Sequence, residues 1–483
     1  MLEKYFSIID KNRKKFNKYL KKLDKHNSLI KKLEIAQDAL DFAVFKNTGY
    51  FSCSKLEKFY FSIAETLETV QIKDFAKNTV LHVMSQASKT GGHTRIVEKW
   101  IEYADNQESH SVVIINQQKE ENLTRLHTAI KQKNGQLISI KENDILKKAS
   151  ELRKLASGYE YIVLHIHMND PISLIAFGTQ KFERPIIFFN HADHVFWTGV
   201  GISDLTAELS ANRTELSIDF RKVNKIITLS VPIDANSKIT DKETARKKLG
   251  IDKYKHIIMT CGSSTKYTYL KEYNYTDIFK NFLQTRKDSA IIEIGPKTKE
   301  WKQIKKQYKD RLILLKSVDY EKDYFDYIAA ADLLIDSFPM SGGTVMVDAI
   351  NTKTPVLSLE NPIGQFDYLV KSQAYCKDKK ELEKKLYMIL DNEDYKISIL
   401  EELTQNLYKE CSQEAFIEKV KELKKALPAK HKIYDFEESC ADIKLYPLCV
   451  ILNFIYEKEY FKHKKRKLLK SLKNILKKLF TKH

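Results

Sequence analysis

The sequence predicts an α/β protein: two Rossmann-like domains facing a cleft, preceded by a helical appendage and followed by a basic amphipathic helix. Three observations carry this expectation. From residue 78 onward, short apolar runs of strand length alternate with amphipathic helical segments, the pattern of parallel sheets covered by helices. The alternation pauses at the turn-rich Val231-Pro-Ile-Asp-Ala-Asn-Ser237 and then restarts. In both halves a glycine-bearing loop follows a buried strand, and open α/β sheets bind ligands outside the carboxyl ends of their strands.

Residues 1–77 read as helical. Leu20, Leu23, Leu29, Ile30, Leu33, Ala36, Leu40 and Val44 recur at helical spacing among lysines, and the pattern continues from Phe59 to Val70. The first Rossmann-like domain, 78–231, has strand-like runs at 80–85, 111–116, 137–140, 161–167, 185–190 and 225–230. The second, 238–427, has them at 256–261, 290–294, 312–315, 333–335 and 356–359. Residues 380–427 are helical, and part of them should pack back across the hinge. Residues 428–483 form a basic helical tail.

A chain of 483 residues with 43% hydrophobic content can bury large cores. Its six cysteines are scattered without CxxC spacing, which points to a reducing compartment and away from a thiolate metal site. There is no secretory h-region and no apolar run of about 18 residues, so neither secretion nor membrane spanning is expected. The net charge of +18 sits at the ends: +7 in residues 1–35 and +10 in residues 460–483, leaving +1 for the other 424 residues. A nearly neutral body argues against a nucleic-acid partner.

Four loops carry candidate chemistry. Ser85-Gln-Ala-Ser-Lys-Thr-Gly-Gly-His-Thr-Arg95 places Gly91 and Gly92 where an acceptor or a phosphate could be positioned, with His93 as a candidate base. A merely flexible glycine loop is the bland alternative. Asn190-His-Ala-Asp-His-Val-Phe-Trp-Thr-Gly199 offers His191, Asp193 and His194 within four residues. With His165 and His167 these could ligate zinc, but the spacing matches no standard zinc pattern. No metal is therefore expected, and the polar groups read as an acceptor pocket, with Asp193 and His191 joining His93 as catalytic candidates. Phe196 and Trp197 are placed either against a sugar face or in the core.

The third loop, Thr260-Cys-Gly-Ser-Ser-Thr-Lys266, combines close backbone approach at Gly262, hydroxyl donors from Ser263 onward, and the point charge of Lys266, which suits a pyrophosphate. It lacks P-loop spacing, and the chain has no GxGxxG. An NTPase or a dinucleotide oxidoreductase is thus disfavoured. The fourth is Asp336-Ser-Phe-Pro-Met-Ser-Gly-Gly-Thr-Val-Met-Val-Asp348. A strand ending in such a loop and restarting as a helix leaves backbone N–H groups unpaired, a ready anion site. Ser341, Gly342, Gly343 and Thr344 admit a phosphate, and Asp348 can accept from sugar hydroxyls.

The third and fourth loops together resemble the donor-binding half of GT-B glycosyltransferases, above all the branch of O-GlcNAc transferase and the bacterial cytoplasmic N-glycosyltransferases. The Asn-His-Ala-Asp-His-x-Phe-Trp segment is similar to bacterial members of that group. The resemblance covers roughly residues 78–427 and is sharpest at 332–359. It implies that Gly343, Thr344 and Val345 hold a donor diphosphate through their backbone, that Asp348 binds the ribose, and that the diphosphate lysine is Lys266 or Lys271. The implied co-substrate is a nucleotide-diphosphate sugar, a UDP-sugar first, with no further cofactor. The chain lacks the tetratricopeptide repeats of the eukaryotic branch, so a protein acceptor is not presumed. Neither the third nor the fourth loop carries the ExxxxxxxE donor signature of the large retaining branch, which leans toward inversion.

In the tail, Leu468, Leu469, Leu472, Ile475, Leu476, Leu479 and Phe480 form one apolar stripe opposite Lys and Arg. This is the pattern of an interfacial helix on an anionic bilayer, although a solvated or protein-docking helix would share it. The expectation is a cytoplasmic glycosyltransferase, peripherally attached to the inner face of the plasma membrane through 460–483. Its acceptor would be a glycan, lipid or protein, in surface glycan assembly of the lipopolysaccharide or capsule type. A protein N- or O-glycosyltransferase and a non-catalytic membrane scaffold are the alternatives.

Overall fold

The computed structural model describes residues 3–68, 74–89, 91–117, 121–234, 237, 240–267, 273–295, 298–440 and 445–480. Its first sheet has seven parallel strands: β1 Thr79–Met84, β2 Ser109–Ile114, β3 Leu137–Ser139, β4 Tyr161–His165, β5 Ile186–Asn190, β6 Leu205–Glu208 and β7 Ile226–Thr228. They lie in the order β3-β2-β1-β4-β5-β6-β7. The second sheet has six: β8 His256–Cys261, β9 Ser289–Ile294, β10 Leu312–Leu315, β11 Leu333–Ile335, β12 Val356–Leu359 and β13 Tyr375–Cys376, ordered β10-β9-β8-β11-β12-β13. Each sheet reverses its strand order once, between β1 and β4 and between β8 and β11, and a crevice opens at such switch points.

Val- and Ile-rich strands buried on both faces account for the parallel pairing. Crossover helices cover them, started by side-chain caps where the sequence supplies one: Asp144, Asp241 and Thr298 each accept from first-turn amides. Two strands have no apolar run to announce them. β6 is Leu-Thr-Ala-Glu, entirely buried, and its polar Glu208 is satisfied by Asn190 and Ser217. β13 is only two residues long.

The N-terminal helices share a core with the first sheet instead of standing apart from it. Phe42, Leu56 and Tyr60 are buried in one cluster with Leu81, Leu164 and Phe188. Glu57, fully buried, accepts from the amides of Gly199, Val200 and Gly201 at 2.7, 3.1 and 2.7 Å. The helix Gln413–Ala426 packs back on the first domain, with Phe416 against Trp100 and Tyr103, as the hinge reading expects.

The tail is not helical throughout: residues 428–440 form no helix, and one long helix, Tyr446–Phe480, follows. Its first turns bury Leu448, Cys449, Ile451 and Leu452 among Val195 and Leu216 of the first domain and Met340 and Ile363 of the second. Further along, His463 and Lys467 pair with Asp41 and Asp38 of the helix Leu29–Phe45. Lys464, Lys465, Arg466 and Leu469 are exposed; the side chains of Leu468 and of the stripe from Leu472 to Phe480 lie outside the described residues. Among the described residues no helix is long and apolar enough to cross a membrane.

Candidate active site in the interdomain cleft

The two loops of the second domain emerge side by side because β8 and β11 flank its switch point. They are tied together: the Lys266 ammonium donates to the Ser341 carbonyl, the Met340 amide to the Lys266 carbonyl, and Tyr267 bridges to Pro339. Gly262 lies so close to Ser337 and Lys266 that a Cβ would sit 3.2 Å from each. Ser263 holds the Thr265 hydroxyl at 2.7 Å. Burial pulls the Lys266 ammonium below its ordinary value, against the attraction of Asp336. Lys271 lies outside the described residues.

Asp336 organises the second loop. Its carboxylate accepts from the Gly342 amide at 2.7 Å, from Ser358 at 3.0 Å and from Gln365 at 3.2 Å. Gly343 then takes a positive φ of 62°, and the helix Thr344–Asn351 starts from it. The left-handed turn is open to glycine at no steric cost. The first-turn amides of Thr344 and Val345 have no intrahelical acceptor. The Ser341 hydroxyl accepts from the Gly343 amide at 3.2 Å.

Across the cleft stands the loop after β1. Gly91, at φ 118°, precedes the helix Gly92–Tyr103, and a Cβ on Gly92 would lie 3.2 Å from the Thr344 methyl. The two glycine loops therefore meet face to face. One turn later, Arg95 forms a two-pronged ion pair with Asp348 at 2.7 and 2.6 Å, and Tyr324 donates to the same carboxylate at 2.8 Å. Asp348 thus has both oxygens engaged by protein and is buried, so a ribose could reach it only if the packing around this ion pair opened.

The second loop of the first domain divides its polar residues. His191 turns toward the cleft: its Nε2 is 2.9 Å from His165 Nδ1, and its ring centroid is 3.9 Å from that of His93. Asp193 is held by protein partners, pairing with Arg213 at 2.8 Å and His194 at 2.9 Å, while Arg213 reaches the Gly364 carbonyl of the second domain and His194 reaches Tyr456 of the tail helix. Burial alone would raise the Asp193 carboxyl, but Arg213 and His194 hold it below the usual carboxylate range. Burial pushes the His93 imidazole down to about 4. Phe196 and Trp197 are core residues, each 1% exposed, with Trp197 stacked on Phe188 at 4.3 Å; they present no face to a sugar.

Sequence reasoning missed His82 and His110. They lie inside strands, where alternate positions mark a face and say nothing of what stands beside it. Arg95 was the last residue of a recognised loop, but its partner 253 positions away leaves no local signal.

No known family model matches the sequence, and no curated protein does. Similar solved structures share the fold at low identity. Anabaena HepE, in complex with UDP and glucose, has a TM-score of 0.52 at 13% identity, covering 72% of this chain and 100% of that one. A glycosyltransferase from Rickettsia africae has a TM-score of 0.54 at 14% identity, covering 73% and 98%. A mutant of the Thermobaculum terrenum O-GlcNAc transferase has a TM-score of 0.50 at 11% identity, covering 88% and 78%. The two-sheet arrangement is thus the GT-B fold, as the resemblance of the loops implies.

Proposed function

We propose that this protein is a glycosyltransferase that takes a nucleotide-diphosphate sugar, UDP-linked in the first instance, and transfers the sugar to an acceptor held against the first domain. The observation that carries the reading is the meeting of two glycine loops at facing switch points, with Lys266 between the loops of the donor half. The amides of Thr344 and Val345 and the Lys266 ammonium would receive the charge that builds on the diphosphate as its bond to the sugar carbon breaks. Departure of the diphosphate needs no metal on this reading. The acceptor's hydroxyl loses its proton as it bonds to that carbon, and activation of the acceptor falls to the cleft-facing His93 and His191. Asp193 is spent on Arg213. HepE, whose structure contains UDP, supports the choice of nucleotide.

The acceptor belongs to surface glycan assembly, and the enzyme works at the inner face of the plasma membrane. What supports this is the tail: a basic helix whose exposed Lys464, Lys465 and Arg466 suit anionic headgroups, each worth about 1 kcal/mol near such a surface.

Thermal shift across UDP, GDP and CMP and their sugar conjugates tests the reading. A UDP-dependent rise in the melting midpoint is expected, and no response to any nucleotide would leave a non-catalytic scaffold.

A further inference from the structure

A line of histidines crosses the first sheet diagonally. His110 on β2 stands opposite Val80, His82 on β1 is one same-face step higher, and His165 on β4 stands opposite Met84, a further step up. His191 follows β5 directly. Each step moves one strand over and two residues toward the cleft, so consecutive rings touch. His110 Nδ1 is 3.0 Å from His82 Nε2, His82 Nδ1 is 3.1 Å from His165 Nε2, and His165 Nδ1 is 2.9 Å from His191 Nε2. The lower end is anchored by Glu108, 3.4 Å from His110 Nε2 and paired with Lys424.

The anchor sets the tautomers. A carboxylate can only accept, so His110 carries its proton on Nε2 and accepts on Nδ1. His82 must then donate from Nε2, and His165 likewise. His165 is left with a lone pair on Nδ1 at the cleft end of the line, where it accepts from His191 Nε2 unless a metal takes its place. His93 is fixed separately: its Nε2 lies 3.0 Å from the His165 carbonyl, which can only accept, leaving a lone pair on His93 Nδ1. Nitrogens of His93, His165 and His191 lie within 4.8 Å of one another. His165 is fully buried, while His93 and His191 are half-buried at the cleft.

We propose that His93, His165 and His191 bind a divalent transition metal, zinc in the first instance, at the acceptor side of the cleft. Three neutral imidazoles with an open fourth position form a ligand set of the catalytic zinc type. An imidazole ligand characteristically donates its other N–H to a carboxylate or a carbonyl. His93 does so directly, and His165 does so through His82 and His110 to Glu108. The histidine–aspartate cluster read from the sequence is thereby regrouped: His191 stays, while Asp193 and His194 leave it for Arg213 and Tyr456. A metal here would activate an acceptor hydroxyl by coordination, in place of direct proton removal by imidazole. The inference rests on the histidine geometry and holds whatever group the protein transfers.

The test is metal content of the purified full-length chain after incubation with zinc and desalting, together with the visible spectrum of the cobalt-loaded protein. About one equivalent of zinc is expected, with cobalt bands of a four-coordinate nitrogen site. His93→Ala and His191→Ala should each lose most of it, and His127→Ala, on an exposed surface position, should keep it. Circular dichroism confirms that the variants fold. Should either cleft variant be unfolded, the wild-type cobalt spectrum decides. Absence of bound zinc and of cobalt bands in the wild type, or full zinc retention in folded His93→Ala and His191→Ala, overturns the site. Nucleotide thermal shifts unaffected by EDTA would keep the donor-site reading standing whichever way this falls.

Discussion

Arg95 and Asp348, 253 positions apart, form a two-pronged ion pair across the domain boundary, with side chains only 7% and 1% exposed. Arg95 also lies over the Tyr320 ring at 5.2 Å. A buried pair of this kind is worth little against an apolar replacement, yet losing one partner is costly because the other charge stays buried. It therefore specifies how the two domains meet more than it adds stability.

Arg95→Met should lower stability by about 3–5 kcal/mol, and so should Asp348→Leu, while the double variant should lose clearly less than the sum. Denaturant unfolding of the four proteins measures this. Additive losses would show that the two residues do not depend on each other.

Lys266→Ala should weaken UDP binding roughly tenfold or more, since a hydrogen bond to a charged group is worth about 1.5–3 kcal/mol. Asp348→Ala should do the same if the ribose displaces Arg95. Calorimetric titration separates the two contributions. Undiminished affinity in both variants removes the donor assignment.

Glu293 on β9 has both carboxylate oxygens buried without a partner among the described residues. Burial pushes its carboxyl from 4.5 up to about 9, so the folded protein keeps a proton that the unfolded chain releases. The resulting stability is complete below pH 4.5 and drains away as the pH climbs toward 9. Glu293→Gln escapes that loss. Its melting midpoint should match the wild type in acid and exceed it increasingly through the neutral range; a pH-independent difference would contradict the assigned proton.

A chain ending at Glu459 should lose co-sedimentation with anionic vesicles, and replacing Lys464, Lys465 and Arg466 by Gln should weaken it. Attachment of the intact chain should decline with salt, as charges are screened within about 10 Å at 0.1 M. The triple variant separates membrane attachment from folding, because it leaves His463 and Lys467 on their acidic partners. If the truncated chain sediments as well as the intact one, the tail is not the anchor.

Both sheets were legible in the sequence because buried parallel strands need continuous apolar runs, and most supplied them. β6 was not, since its Glu208 is paid for by Asn190 and Ser217, partners visible only in three dimensions. The glycine loops were legible for a similar reason: a tight turn into a helix demands residue types that stand out locally.

The sequence by itself thus determined two Rossmann-like domains, the turn-rich segment that separates their strand patterns, and the loops that face one another across the cleft. These follow from local periodicity and backbone permissiveness. The tertiary structure alone decided which polar side chains meet. It paired Asp193 with Arg213, bound Asp348 to Arg95, buried Trp197, and aligned His110, His82, His165 and His191 diagonally across the first sheet. Pairings of that kind depend on strand order and register, which bring distant residues within hydrogen-bond reach and leave no mark on the residues beside them in the chain.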